Sequence, residues 1–172
     1  MKTSLFALLL AGLVLVAGCQ TASPPTPSPA DGRVTVTFQA PEKFTDFRDS
    51  FPGTDKGQEH YMTLIRKFIV EEVGRRLAEG QTLSVTFTDI DLAGDFLPAV
   101  SRGIDDIRIV KEIYFPRMNL NFELRDASGA VLKQGERKLI DMNFMSSLSF
   151  RKSDELFYDL EMLRNWLRSE FK

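Results

Sequence analysis

The chain has 172 residues, one cysteine, one histidine and a formal net charge of −2. Hydrophobic residues make up 43% and charged residues 27%, the balance of a folded domain and not of a disordered chain. A lone cysteine excludes an internal disulfide. The near-neutral charge excludes the basic footprint expected of a nucleic-acid or anionic-membrane binder.

The chain opens with Met1-Lys2 and enters an apolar run from Leu5 to Val16. A membrane-spanning helix needs about twenty such residues, so this shorter run reads as the core of a secretory leader. Leu15-Val16-Ala17-Gly18-Cys19 looks like a lipobox, which places the leader at residues 1–18 and makes Cys19 the lipid-bearing N-terminus of the mature protein. An ordinary leader followed by cysteine is the competing reading. It leaves an exported protein with an unexplained lone thiol, which lipidation accounts for. Two or more acyl chains anchor a protein stably, at about 0.8 kcal/mol per buried methylene. Gln20, in place of aspartate, resembles an outer-membrane sorting signal. The expected location is therefore the bacterial cell envelope, at the outer membrane and facing the periplasm.

Residues 19–32 form a linker in this reading, and Thr21 to Asp31 runs TASPPTPSPAD. Such a segment cannot bury enough apolar surface to offset its ordering entropy. Its prolines favour an extended polyproline II spacer of about 3 Å per residue.

Residues 33–172 are long enough to form one domain with its own core. Removing Lys2 with the leader takes the formal charge to −3. Arg33 to Phe38 alternates with period two and predicts the first strand. Tyr61, Ile65, Ile69, Val73 and Leu77 recur every four residues and predict a helix from about Glu59 to Glu79, capped by Gly80. Arg75 and Arg76 suit the negative end of its dipole. Leu83 to about Thr88 predicts a second strand, and the apolar phase then slips at Asp89, which predicts a bulge there. A third strand is expected from Ile107 to Tyr114, ended by Pro116. A fourth follows from Met118 to Leu124, with Met118, Leu120, Phe122 and Leu124 inward. Asp126-Ala127-Ser128-Gly129 reads as a hairpin turn into a fifth strand from about Val131 to Ile140. A last helix runs from about Ser153, its cap, to Phe171, with Leu156, Leu160, Leu163 and Leu167 on one face.

The order β-α-β-β-β-β-α predicts an α+β fold: a single two-layer domain with a mixed sheet of about five strands and two helices on one face. The first two strands, joined through a helix, should be parallel by a right-handed crossover. The later strands should form an antiparallel meander.

Several segments of this domain resemble the family of domain of unknown function 3016. They are Val34-Thr35-Val36-Thr37-Phe38, Pro41-Glu42-Lys43-Phe44-Thr45-Asp46-Phe47-Arg48 and Thr88-Asp89-Ile90-Asp91-Leu92-Ala93-Gly94. Pro116-Arg117, Leu139-Ile140-Asp141, Glu161-Met162-Leu163 and Trp166-Leu167 add to the likeness, which covers nearly the whole domain. The resemblance implies a Gram-negative envelope protein and brings no activity with it.

Asp89, Asp91 and Gly94-Asp95 form the acidic cluster that best invites a metal argument. An EF-hand loop needs carboxylates at positions one, three and five, glycine at six and glutamate at twelve. Ala93 and Val100 stand at the fifth and twelfth positions, so Asp89 and Asp91 are read as backbone acceptors at the bulge. Glu42 to Asp49 mixes charge with aromatics in a loop, where binding residues concentrate. Phe44, Asp46 and Arg48 there, with Asp89 and Asp91, are the candidate interaction residues. The structural alternative tucks Phe44 and Phe47 under the first helix and pairs Asp46 with Arg48. His60, the sole histidine, reads as a surface residue. The apolar stretch Phe144 to Phe150 reads as a loop packed on the sheet edge, or as an exposed partner patch. No Gly-rich phosphate loop, zinc spacing or nucleophile motif occurs, so no catalytic residue, metal or cofactor is assigned. The expected function is a non-catalytic envelope accessory module, held to the membrane through Cys19 and binding another envelope protein. The alternative is a periplasmic lipoprotein that binds a small ligand, lipid or glycan.

Overall fold

A computed structural model describes residues 32–96, 107–146 and 154–172. The leader, Cys19, the proline-rich linker, Val100 and the expected cap Ser153 lie outside the described residues.

Strand β1 is Val34–Phe38, with Val34 and Val36 buried on one face. It pairs in parallel with β2, Thr82–Asp91, from Val34 opposite Leu83 to Phe38 opposite Phe87. β2 is longer than its clean alternation suggests. It continues through a register shift between Phe87 and Asp89 that skips Thr88 and brings Ile90 back to the buried face opposite Met118. The expected bulge is therefore present, and its extra residue is Thr88.

β5, Arg117–Arg125, and β6, Val131–Ile140, complete a four-stranded sheet in the order β1-β2-β5-β6. β2, β5 and β6 pair antiparallel, as the meander predicts. The β5–β6 turn is built by Asp126, whose carboxylate accepts from the Ser128 and Ala130 N–H groups and the Ser128 hydroxyl. Gly129 supplies the positive φ that the turn requires.

Helix α1 is Asp55–Gly74, shifted toward the N-terminus relative to the expected Glu59–Glu79. Thr54 caps its start by accepting the Gly57 N–H at 2.9 Å, and Asp49 holds Thr54 through both its N–H and its hydroxyl. At the other end, the Arg33 guanidinium donates to the carbonyls of Gly74, Leu77 and Ala78. The helix closes there, yet Leu77 stays buried, so the apolar stripe outlasts the helix that the spacing implied. Gly80 is consequently not the helix cap. It sits at φ +75° in the turn to β2, where a Cβ would come within 2.5 Å of Ala127.

The five-strand expectation is corrected at Ile107–Tyr114. Only Arg108–Ile109 is strand, β4, and it pairs with Asp95–Phe96, β3, in a separate two-stranded ribbon. Ile107 and Ile113 are exposed, at 58% and 70%, so the alternation there has no core to bury it. Tyr114 N–H instead closes a turn onto the Lys111 carbonyl.

Helix α2, Phe157–Glu170, begins four residues later than expected, with Leu156 at a left-handed φ of 56° before it. It buries Phe157, Met162, Leu163, Trp166 and Leu167. Both helices pack on one face of the sheet and against each other. The opposite face, with Ser84, Thr86 and Asn121, is polar and open. Each fully buried leucine or isoleucine between the layers contributes about 1.5–3 kcal/mol.

Candidate functional site

Segment 45–48 lies beside the end of β2, because Asp46 N–H donates to the Ile90 carbonyl and Leu92 N–H donates to the Asp46 carbonyl. Two loops far apart in sequence are thereby joined, and four of the five candidate residues meet there. Thr45 donates its N–H and hydroxyl to the two oxygens of Asp89, at 2.8 and 2.9 Å. Asp91 takes Arg117 through Nε at 2.8 Å and Nη2 at 2.6 Å. Asp46 is buried and receives the Arg108 fork at 2.7 and 3.2 Å. Arg48 Nε stands 3.0 Å from Asp46 as an ion pair without hydrogen-bond alignment.

The fifth candidate, Phe44, is buried, as is Phe47. Phe44 packs on Phe47, which in turn packs on Phe38 and Tyr61. The structure therefore uses Phe44 in the core and does not present it as a recognition anchor.

Arg108 is the hub. It also donates to the carbonyls of Gly94 and Arg48, at 2.9 and 3.0 Å, and lies over the Phe96 ring. Gly94 makes this approach possible. It holds φ +85°, and a Cβ there would stand 2.9 Å from the Ile109 carbonyl oxygen.

Below the cluster, Asp159 is buried in the first turn of α2, where its carboxylate accepts the Ala93 N–H at 3.0 Å. Burial pushes its pKa up to about 7, against the opposing pull of that hydrogen bond and of Arg108. Asp91 is also raised. Burial is the main cause, Arg117 opposes it, and the neighbouring charges of Asp46 and Asp89 add to it.

Between the 45–48 segment and residues 113–117 is a cleft of ≈270 Å³. Arg117, Asp95 and Arg48 are the accessible charges in its lining, with side chains 53%, 40% and 33% exposed. Ile113, Tyr114 and Phe115 form an apolar wall. No group of three or more His, Cys, Asp or Glu side chains able to hold a metal occurs among the described residues. His60 is exposed and paired with Glu155 at 2.8 Å. In the Phe144–Phe150 stretch, Phe144 is buried edge-on to Tyr158, and residues 147–150 lie outside the described residues.

Arg108 and Asp159 escape a reading of the sequence alone. Arg108 sits within an apparent strand. Asp159 does carry a signal: it falls three, four and seven residues before Met162, Leu163 and Trp166, on the buried stripe of α2. A lone acid on such a stripe marks a buried contact.

The fold and cluster define a two-layer α+β domain with an ion-pair-lined cleft at one end of its sheet. A family model described as a protein of unknown function, DUF3016, matches residues 32–169, and the chain belongs to that family. No curated protein and no solved structure matches it.

Proposed function

We propose that this protein is a lipid-anchored accessory module of the bacterial cell envelope, without a catalytic step of its own, which binds another envelope protein through the end of the sheet that carries the arginine–aspartate cluster. The observation that supports this reading most is the position of the chain's entry. Arg33 leads into β1 beside the C-terminal end of α1, next to the β5–β6 turn. The cluster lies at the other end of the ten-residue β2. At about 3.3 Å per residue, that separation is roughly 30 Å. A chain tethered through Cys19 and the proline-rich linker would thus turn its cluster away from the bilayer.

The surface at that end suits a partner. Ile113, Ile140 and Met142 are exposed at 70%, 57% and 72% around charged groups, a mixture of apolar anchors and polar rim common in protein interfaces. Asp46, Asp89, Asp91 and His60 are held by neighbours, which supports a binding role over proton transfer.

The test is in-cell crosslinking of three forms: wild type, Cys19→Ala and Ile113→Asp. Wild type is expected in the outer-membrane fraction with one specific partner. Cys19→Ala should lose both, and Ile113→Asp should lose the partner alone. Membrane attachment of Cys19→Ala equal to wild type would end the lipid-anchor reading, and a partner retained by Ile113→Asp would end the assigned surface.

A further inference from the structure

The cleft beside the cluster has a charge pattern that a structural ion-pair network does not require. Arg117 meets Asp91 through Nε and Nη2 alone, although a guanidinium carries five N–H donors. Its side chain is half exposed and its plane lies over the Phe115 ring, 4.9 Å from the ring centre, which fixes its orientation. Across the cleft, Asp95 is 40% exposed, and Arg48 approaches it no closer than 3.8 Å. Asp95 Oδ1 accepts the Phe96 N–H at 2.7 Å, which leaves Oδ2 for a closer cation. The cleft thus offers a cationic donor and an anionic acceptor, with Ile113 and Tyr114 in the same lining.

Asp46 and Asp91 are already paired with Arg108 and Arg117, so the charged groups of the lining with hydrogen-bonding capacity to spare are Arg117 and Asp95, one of each sign. A site with one spare cationic donor and one spare anionic acceptor is matched in full by neither a simple anion nor a simple cation. It favours a ligand that carries both charges. Small-molecule sites usually measure about 300–1,000 Å³, and at ≈270 Å³ this one suits the smallest such ligands. We propose that the cleft binds a small dipeptide, its carboxylate on Arg117 and its ammonium on Asp95. This assignment does not depend on the lipid anchor; it shares Ile113 with the surface proposed for the protein partner, and titration of the purified chain tests it apart from that partner.

The experiment is isothermal titration of the full chain, extracted in a nonionic detergent, with dialanine in its L,L and D,D forms. The same dipeptides acetylated at the amine or amidated at the carboxylate are titrated beside them. Saturable binding of at least one form is expected, weakened tenfold or more when either end is blocked. Preference for the D,D form would point to a cell-wall source and preference for L,L to a protein-derived one, and either supports the site. Asp95→Asn and Arg117→Gln should each weaken binding tenfold or more with thermal unfolding still cooperative, whereas Ser84→Ala on the open sheet face should leave it unchanged. Absence of saturable binding into the millimolar range, or blocked dipeptides binding as well as free ones, overturns the proposal.

Discussion

Asp159 is the residue with the clearest pH signature. Its carboxyl is raised from 3.8 to about 7 by burial, so over that interval the folded protein keeps a proton that the unfolded chain has released. The contribution to stability is therefore full below about pH 4 and declines as pH rises toward 7. Asparagine keeps an oxygen for the Ala93 N–H and removes the titration. Asp159→Asn is expected to match wild type near pH 4 and to exceed it at pH 8 by about 4 kcal/mol, at 1.36 kcal/mol per pKa unit. Urea denaturation at the two pH values checks this, and a variant less stable than wild type at pH 8 contradicts it. Glu170 behaves in the opposite sense. The Arg137 and Lys133 hydrogen bonds lower it from 4.5 to about 2, so its contribution is present at neutral pH and is lost as the pH falls from about 4.5 to about 2.

At the scale of elements, the β3–β4 ribbon is tied to the main sheet by Arg108. Its guanidinium joins the buried Asp46 to the backbone of Arg48 and Gly94, while Phe96 covers its face. Removing one partner of a buried pair leaves an uncompensated charge. Arg108→Ala should therefore cost about 3 kcal/mol, with Arg48 retaining part of the pairing to Asp46. Arg108→Lys should recover little, because an ammonium lacks the planar fork. Chemical denaturation measures both, and a lysine variant equal to wild type would show that charge alone suffices. The same ribbon explains the largest error of strand assignment. Ile107, Ile109, Val110 and Ile113 look like a strand in sequence, but only Arg108 and Ile109 pair, with Phe96 and Asp95 of the short β3. Helix α1 is displaced for a comparable reason. Its start is set by Thr54 and Asp49 and its end by Arg33, all contacts invisible to a search for apolar spacing.

For the whole molecule, the entry point of the chain and the cleft lie at opposite ends of β2. If Cys19 carries the anchor, Ser128 in the β5–β6 turn faces the bilayer side and Ile113 faces away. Donor dyes placed at Ser128→Cys and Ile113→Cys, with an acceptor dye in the lipid, should show stronger energy transfer from residue 128. Equal transfer from both would contradict the orientation.

Much of this architecture is legible from residue patterns because it depends on local periodicity. The buried faces of β1, β2 and β5, the bulge after Phe87, the Asp126 hairpin and the two amphipathic helices all follow from which side chains must leave water. Membership of the family is equally readable, from motifs spread along residues 34–167. The site was legible in part: Asp46, Arg48, Asp89 and Asp91 attract notice as polar residues in apolar surroundings. Only the tertiary structure decides that they share one end of the sheet, that Phe44 is core, and that Arg108 and Asp159 complete the cluster from 62 and 66 residues beyond their partners. The physical reason is one of range. Burial repeats along the chain and leaves a periodic trace, whereas an ion pair between distant segments depends on a packing geometry that neither segment encodes alone.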